Sequence, residues 1–179
     1  MRITISGEVG SGKSTIARML AEKLGYGYYS VGALLRKMAK DRGLSIMDIS
    51  SLAEKNHSID ARLDEEQRKL SQKENFVMDS RLGFHFIPDS FKIFLQTDID
   101  RAAERIFGDK RSQEKYRNVS ETKKKLQSRM ESEQKRYMQY YGIHFPPLQE
   151  FDCVFDTTRK APPEIVNEIM QKIKSKRTA

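Results

Sequence analysis

A single cysteine, Cys153, in a chain of 179 residues excludes an internal disulfide framework. No Cys/His spacing suggests a zinc site, and Cys153, within the apolar run Cys153-Val154-Phe155, reads as a small buried hydrophobe. No apolar run approaches the roughly 18 residues of a membrane-spanning helix. The N-terminus lacks an apolar signal core, because glycines and charges interrupt the first 13 positions, so a cytoplasmic location is expected. There is no internal repeat and no low-complexity linker, and the length fits one domain with a real core. The three histidines, His57, His85 and His144, are scattered and form no Ser/His/Asp arrangement. All three read as loop or packing residues, although His85 falls near the expected acceptor site.

Against these absences stand two positive features. The first is charge: the net value is +8, and 12 Lys/Arg against 6 Asp/Glu lie between Arg101 and Arg136. Such an excess fits nucleic acid, but cations gathered in one stretch fit a nucleoside triphosphate equally well. The second is Gly7-Glu8-Val9-Gly10-Ser11-Gly12-Lys13-Ser14, a complete G-x-x-x-x-G-K-S/T pattern followed by Thr15. Backbone N–H groups converge on phosphate oxygens only where the chain turns tightly, and Gly7, Gly10 and Gly12 remove the Cβ atoms that would block the turn. Lys13 then places a positive charge on the β and γ phosphates, and the Ser14 hydroxyl is a ligand for Mg²⁺. The flanks agree: residues 2–6 are β-like, and Ile16, Ala17, Leu20, Ala21 and Leu24 recur at helical spacing. The pattern predicts an ATP-dependent phosphotransferase.

Strands are predicted at 2–6, 27–30, 75–79, 91–96 and 152–156. Helices are predicted at 13–24, 31–42, 45–55, 59–73, 98–107, 120–140 and 163–175. Ser45 with Asp48 resembles a capping box, and Pro163 suits a first helical turn leading into the stripe Ile165, Ile169, Ile173. Strands alternating with helices predict an α/β, three-layer P-loop NTPase fold with a five-stranded parallel sheet, whose site lies at the strand C-termini. Residues 31–73 and 108–140 are read as helical excursions from that core, one to hold an acceptor and one to close as a lid.

A phosphotransferase must also hold Mg²⁺, position an acceptor, neutralise charge and exclude water. Asp79, at the end of Phe76-Val77-Met78-Asp79, is placed to bind Mg²⁺ directly or through water. Arg81 and Arg36 would sit above the sheet and grip an acceptor phosphate, for which a planar guanidinium is suited. Arg105, Arg111, Arg117, Arg129 and Arg136 lie in or near the expected lid. Arg129, Ser132 and Arg136 share a helix face, and Arg129 is the preferred candidate. A charge run is usually a solvated face, so several of these are bystanders, as is the run Lys123-Lys124-Lys125.

Several stretches together resemble the short, archaeal-type cytidylate kinases of the nucleoside monophosphate kinase superfamily, over nearly the whole length. They are Ile3-Thr4-Ile5-Ser6-Gly7 through Gly12-Lys13-Ser14-Thr15, Ser30-Val31-Gly32 with Arg36, Ile59-Asp60 with Leu63-Asp64, and Asp79-Ser80-Arg81-Leu82. Ala103-Glu104-Arg105-Ile106, Arg136-Tyr137 through Tyr140-Tyr141-Gly142-Ile143, Phe151-Asp152 and Asp156-Thr157-Thr158 continue the likeness. The resemblance implies transfer of the ATP γ-phosphate to CMP or dCMP in a single domain. Its CORE would be residues 1–30, 74–107 and 141–179, its NMP-binding region 31–73 and its LID 108–140. It implies ATP binding by residues 7–15, with Arg105 against the adenine or the ATP phosphates and Thr158 near the adenine. Ser30, Gly32, Arg36 and Arg81 would serve the CMP side, Asp60 and Asp64 would contact the cytosine or its ribose, and Arg129 would reach the transferred phosphate. Lys13, Arg129 and Arg105 are thus the expected catalytic residues, with Ser14 and Asp79 for Mg²⁺.

The chain departs from that family at Glu8-Val9, where a proline or similar residue is common; only backbone N–H groups must point inward there, so the Glu8 side chain is free to face solvent. It also has Asp79-Ser80-Arg81-Leu82 where Glu-Gly-Arg-Leu is frequent. Residues 84–90 carry no assignment. No membrane or nucleic-acid partner is expected, and a monomer is. The alternatives left open are another small-molecule P-loop kinase, adenylate- or shikimate-type, and a nucleic-acid-binding regulatory P-loop NTPase.

Overall fold

In a computed structural model, residues 1–109 and 116–178 are described, and Arg111 lies outside them. Five parallel strands form one sheet in the order β2-β3-β1-β4-β5. They are β1 (Arg2–Gly7), β2 (Gly27–Ser30), β3 (Phe76–Asp79), β4 (Phe91–Gln96) and β5 (Cys153–Asp156). β1 is central, with Ile5 beside Asp79 of β3 on one side and Ile93 of β4 on the other. The chain winds to opposite sides of β1, so the loop after β1 opens into the crevice where such sheets bind ligands.

Apolar spacing explains how helices cover this sheet. In α1 (Lys13–Leu24), Ile16, Ala17, Leu20 and Ala21 are buried. They join Ile3, Ile5, Val77, Ile93 and Leu95 in one cluster. From the other end of the chain, α8 (Pro162–Thr178) adds Ile165, Ile169 and Ile173 to it. Cys153 is half-buried at the margin of this cluster, not enclosed by it, because β5 is an edge strand.

The 31–73 stretch folds as α2 (Val31–Asp41), α3 (Ile46–Lys55) and α4 (Ser58–Leu70), around a core of its own. Leu35, Met38, Ile49, Ala53, Ile59 and Leu63 form it. The Ser45–Asp48 capping box is present, worth about 1 kcal/mol as such caps go. α4 stops at Leu70, short of the predicted 73, in a run of turns bonded to its last carbonyls.

Residues 84–90, unassigned from sequence, open with the single turn α5 (Gly83–Phe86). A Cβ on Gly83 would lie 3.1 Å from Thr4, so glycine lets this turn press against β1. The last two helices are α6 (Ile99–Gly108) and α7 (Val119–Tyr141). α7 is not only a charged face. Leu126 packs with Val9, Ala102 and Ala103, and Tyr137 packs with Leu82 and Phe84, so the helix is anchored at two levels. No helix among the described residues is long and apolar enough to cross a membrane.

Candidate active site

The loop after β1 is shaped by close approach as much as by turning. Gly7 has φ 150°, and a Cβ there would stand 2.3 Å from the Leu95 carbonyl oxygen. Gly10 has φ 74°, and its Cβ would stand 2.6 Å from that of Ala102. Only glycine fits either position. The Glu8 carbonyl accepts from Ser11 Oγ at 2.8 Å and from Lys13 Nζ at 2.6 Å, which folds the lysine back over the loop. The Glu8 side chain does not face solvent. It accepts the Thr97 N–H at 2.7 Å, satisfying a buried donor just past the end of β4. α1 begins at once, so its free N–H groups face the same space.

Beside Lys13 lies a chain of oxygens. Ser14 Oγ donates to Asp79 Oδ2 at 2.5 Å, and Ser30 Oγ donates to the same oxygen at 3.1 Å. Ser30 in turn caps α2 by accepting the Ala33 N–H. A hydroxyl and a carboxylate on one side of a phosphate site form a hard-oxygen donor set. That set fits Mg²⁺, which takes one or two protein oxygens and keeps the rest of its shell for phosphate and water. Among the described residues no three His, Cys, Asp or Glu side chains gather as a protein cage for a metal.

Four arginines border this floor, each differently held. Arg81 pairs through Nε with Glu133 and donates from Nη1 to the Gly7 carbonyl at 2.5 Å. Arg129 pairs through Nε with the other Glu133 oxygen at 3.1 Å. Arg105 reaches from α6 to the carbonyls of Gly10, Thr157 and Thr158, bracing the loop after β5 against the phosphate loop. Arg36 is exposed on the rim and makes no hydrogen bond or ion pair among the described residues. Burial, then the Arg81 charge, pulls the Lys13 ammonium down to about 7, and Asp79 and Glu133 oppose the fall. The floor is thus a concentration of positive charge short of anions.

A polar wall closes the far end. Arg136 Nη1 donates to both oxygens of Asp60, at 2.5 and 2.7 Å, in a pair that is almost wholly buried. Its Nε–H is buried with no hydrogen-bond partner among the described residues. Arg136 therefore joins α7 to α4 instead of sharing a phosphate-facing row with Arg129 and Ser132. One turn along, Tyr141 donates to Asp64 at 2.7 Å. Burial raises the Asp64 carboxyl; Tyr141 opposes this, and Asp60 adds to it. Of the histidines, His57 lies tilted against Tyr140, and His85 meets Phe86 edge-on and Tyr141 at a tilt, both on the exposed surface.

Floor and wall enclose one cavity of about 1160 Å³. That exceeds the roughly 300–1,000 Å³ of a pocket for one drug-sized ligand. It brings together Val9, Gly10, Ser11, Gly12, Lys13, Ser14 and Thr15 with Gly32 and Arg36 from α2. Asp60, Asp64, Asp79, Arg81, Arg105 and Arg129 complete the expected set. Four expected residues stand one layer back. Gly7 and Glu8 present carbonyls to Arg81 and Lys13, Ser30 holds Asp79, and Thr158 accepts the Asp98 N–H through Oγ1. Thr157 and Lys160 line the cavity where Thr158 was expected. Sequence reasoning missed Glu133 and Tyr141. The signal for Glu133 was its place four residues after Arg129.

The family described as "Cytidylate kinase-like family" matches residues 2–159. The chain belongs to that family. It is 33% identical over 175 residues to the cytidylate kinase of Methanobrevibacter smithii, covering 97% of this chain and 99% of that one. It is 36% identical over 159 residues to the cytidylate kinase of Methanothrix thermoacetophila, covering 89% and 90%. Among solved structures, a shikimate kinase from Aquifex aeolicus superposes with a TM-score of 0.59 at 23% identity, over 99% of this chain and 98% of that one. That likeness carries the P-loop kinase fold. For this cytidylate kinase-like chain, the family match spans every cavity residue named above except Lys160.

Proposed function

We infer that the chain is an ATP-dependent nucleoside monophosphate kinase that transfers the γ-phosphoryl group of ATP to CMP or dCMP, giving ADP and CDP or dCDP. The observation that carries this reading is the pairing, in one cavity, of the phosphate loop with a second group of cations, Arg36, Arg81 and Arg129, before a polar wall. Two anion sites facing each other suit two nucleotides, and the named relatives are cytidylate kinases.

The residues divide the work by position. Backbone N–H groups of residues 10–15 and Lys13 hold the ATP phosphates, with Arg105 bracing the loop and lying toward the adenine side. Arg36 and Arg81 hold the acceptor phosphate, and Arg129 meets the phosphoryl group in transit. Asp60, Asp64 and Arg136 border the acceptor base and ribose. Ser14 and Asp79 would hold Mg²⁺, which when bound neutralises charge on the β and γ oxygens. The attacking oxygen belongs to a phosphate already ionised at neutral pH, so no side chain need remove a proton. Catalysis is then positioning and charge stabilisation, with α2 to α4 as the NMP-binding region and the segment around residues 108–140 as the LID that excludes water.

An ADP-release assay across CMP, dCMP, UMP, AMP and shikimate tests the assignment. CMP and dCMP should be the best acceptors; AMP or shikimate as best acceptor with CMP inert would refute it.

A further inference from the structure

Glu133 is a buried acidic residue in the cavity that the proposed roles leave unused. It is 7% exposed, in the middle of α7, and both its oxygens are occupied. Oε2 faces Arg81 Nε, and Oε1 faces Arg129 Nε at 3.1 Å. A buried carboxylate beside two bound phosphates would oppose binding through like charge, so its presence there needs a use.

The geometry supplies one. A guanidinium is planar, and fixing its Nε edge fixes the plane and the direction of both terminal nitrogens. Glu133 fixes two such planes at once, from two elements: Arg129 from its own helix, and Arg81 from the turn after β3. The hydrogen bond of Arg129 to Glu133 runs from Nε, not from a terminal nitrogen. Arg81 is steadied further by the Gly7 carbonyl and by the Phe145 ring, 5.9 Å away. The carboxylate also separates two cations that would otherwise repel each other near Lys13. Burial works against its charge, but Arg81, then Arg129 and Arg136, outweigh it and hold the carboxyl below its ordinary range. It is anionic at neutral pH, with its charge spent on the arginines and not turned toward the phosphates.

We propose that Glu133 is a positioning residue that clamps Arg81 and Arg129 by their Nε edges, aiming the Arg129 fork at the transferred phosphate and the part of the Arg81 fork not bound to Gly7 at the acceptor phosphate. This rests on the kinase reading above and adds to it a residue that touches no substrate. It follows that the shape and charge of Glu133 are read out on the acceptor side and in turnover, not on the ATP side.

The test compares the full chain with Glu133→Gln, Glu133→Asp, Arg129→Ala and the double variant Glu133→Gln/Arg129→Ala. It uses whichever monophosphate the wild type turns over fastest in the acceptor panel. A wild type that prefers another acceptor therefore revises the CMP reading without touching the clamp. For a folded Glu133→Gln, kcat should fall about 10–30-fold and the acceptor KM rise about 3–10-fold, with the ATP KM within about twofold. Glu133→Asp, which keeps the charge, should recover part of both losses. In the Arg129→Ala background, Glu133→Gln should cost kcat less than about threefold, because the arginine that meets the transferred phosphate is already gone, while the acceptor KM should still rise through Arg81. The proposal is overturned if Glu133→Gln leaves kcat and the acceptor KM within about twofold of wild type, if both KM values move together, or if the kcat losses multiply in the double variant. Should Glu133→Gln fail to fold, Glu133→Asp decides alone. An acceptor KM raised about threefold at unchanged ATP KM supports the clamp, and wild-type constants for both overturn it.

Discussion

One end of the cleft is made by consecutive residues and the other by distant ones. At the proposed donor end, residues 9–15 supply backbone N–H groups, a lysine and a hydroxyl from a single loop and the helix it starts. At the proposed acceptor end, Asp60 of α4 meets Arg136 of α7 across 76 positions, and Asp64 meets Tyr141 across 77. Arg81 from the β3 turn meets Glu133 of α7. The donor loop is folded by its own Glu8 carbonyl and braced by Arg105 of α6, and it meets α7 where Val9 packs on Leu126. A wall whose pairs all join α7 to another element depends on where α7 lies. The difference teaches that the proposed donor end is built mainly from neighbours in sequence, whereas the proposed acceptor end is a product of tertiary packing.

Replacing Lys13 should break the donor end most severely. Lys13→Met is expected to lower kcat by at least about 10²–10³-fold, as loss of a preorganised charge does. Its ligand-free stability near pH 7 should not fall. The folded ammonium titrates near 7 against an ordinary 10.5, so burying it costs stability fully below about pH 7, and that cost fades as pH rises toward the ordinary value. Denaturant unfolding of both proteins near pH 7 checks this; a clear loss of stability would mean that Lys13 supports the fold.

Arg81→Ala acts on the acceptor end. The CMP KM should rise about 10–100-fold, the worth of a charge-assisted hydrogen bond, while the ATP KM moves little. Equal rises in both would erase the distinction between the two ends.

The smallest expected effect sharpens the donor end alone. If polyphosphate restores the Lys13 proton, ATP binding takes up protons above about pH 7, and affinity falls by up to about tenfold per pH unit there. Titration calorimetry near pH 8 in buffers of different ionisation enthalpy should report proton uptake on ATP binding and little on CMP binding. No uptake with ATP would show that the ligand leaves the lysine's protonation as it was.

The same contrast explains what could be read from sequence. The donor loop was legible because its chemistry needs adjacent residues of fixed type, and the five strands because helical stretches separate their short runs. Asp79 and Arg81 were legible from their place at a strand end. The pairing of Arg136 with Asp60 was not, because α7 is a charged run and sequence does not say which charges a helix turns inward. Glu133 and Arg136 look like the solvated residues around them, yet both are buried. The role of Glu8 was not legible for a related reason: the N–H it satisfies, that of Thr97, lies 89 positions away.

Whether the two ends act together is tested most directly by the products. Phosphorus NMR of the chain with Mg²⁺, ATP and CMP should show CDP and ADP appearing in equal amounts, with almost no inorganic phosphate. Inorganic phosphate accumulating while CMP stays unchanged would contradict the reading of the cleft as a donor site facing a CMP site.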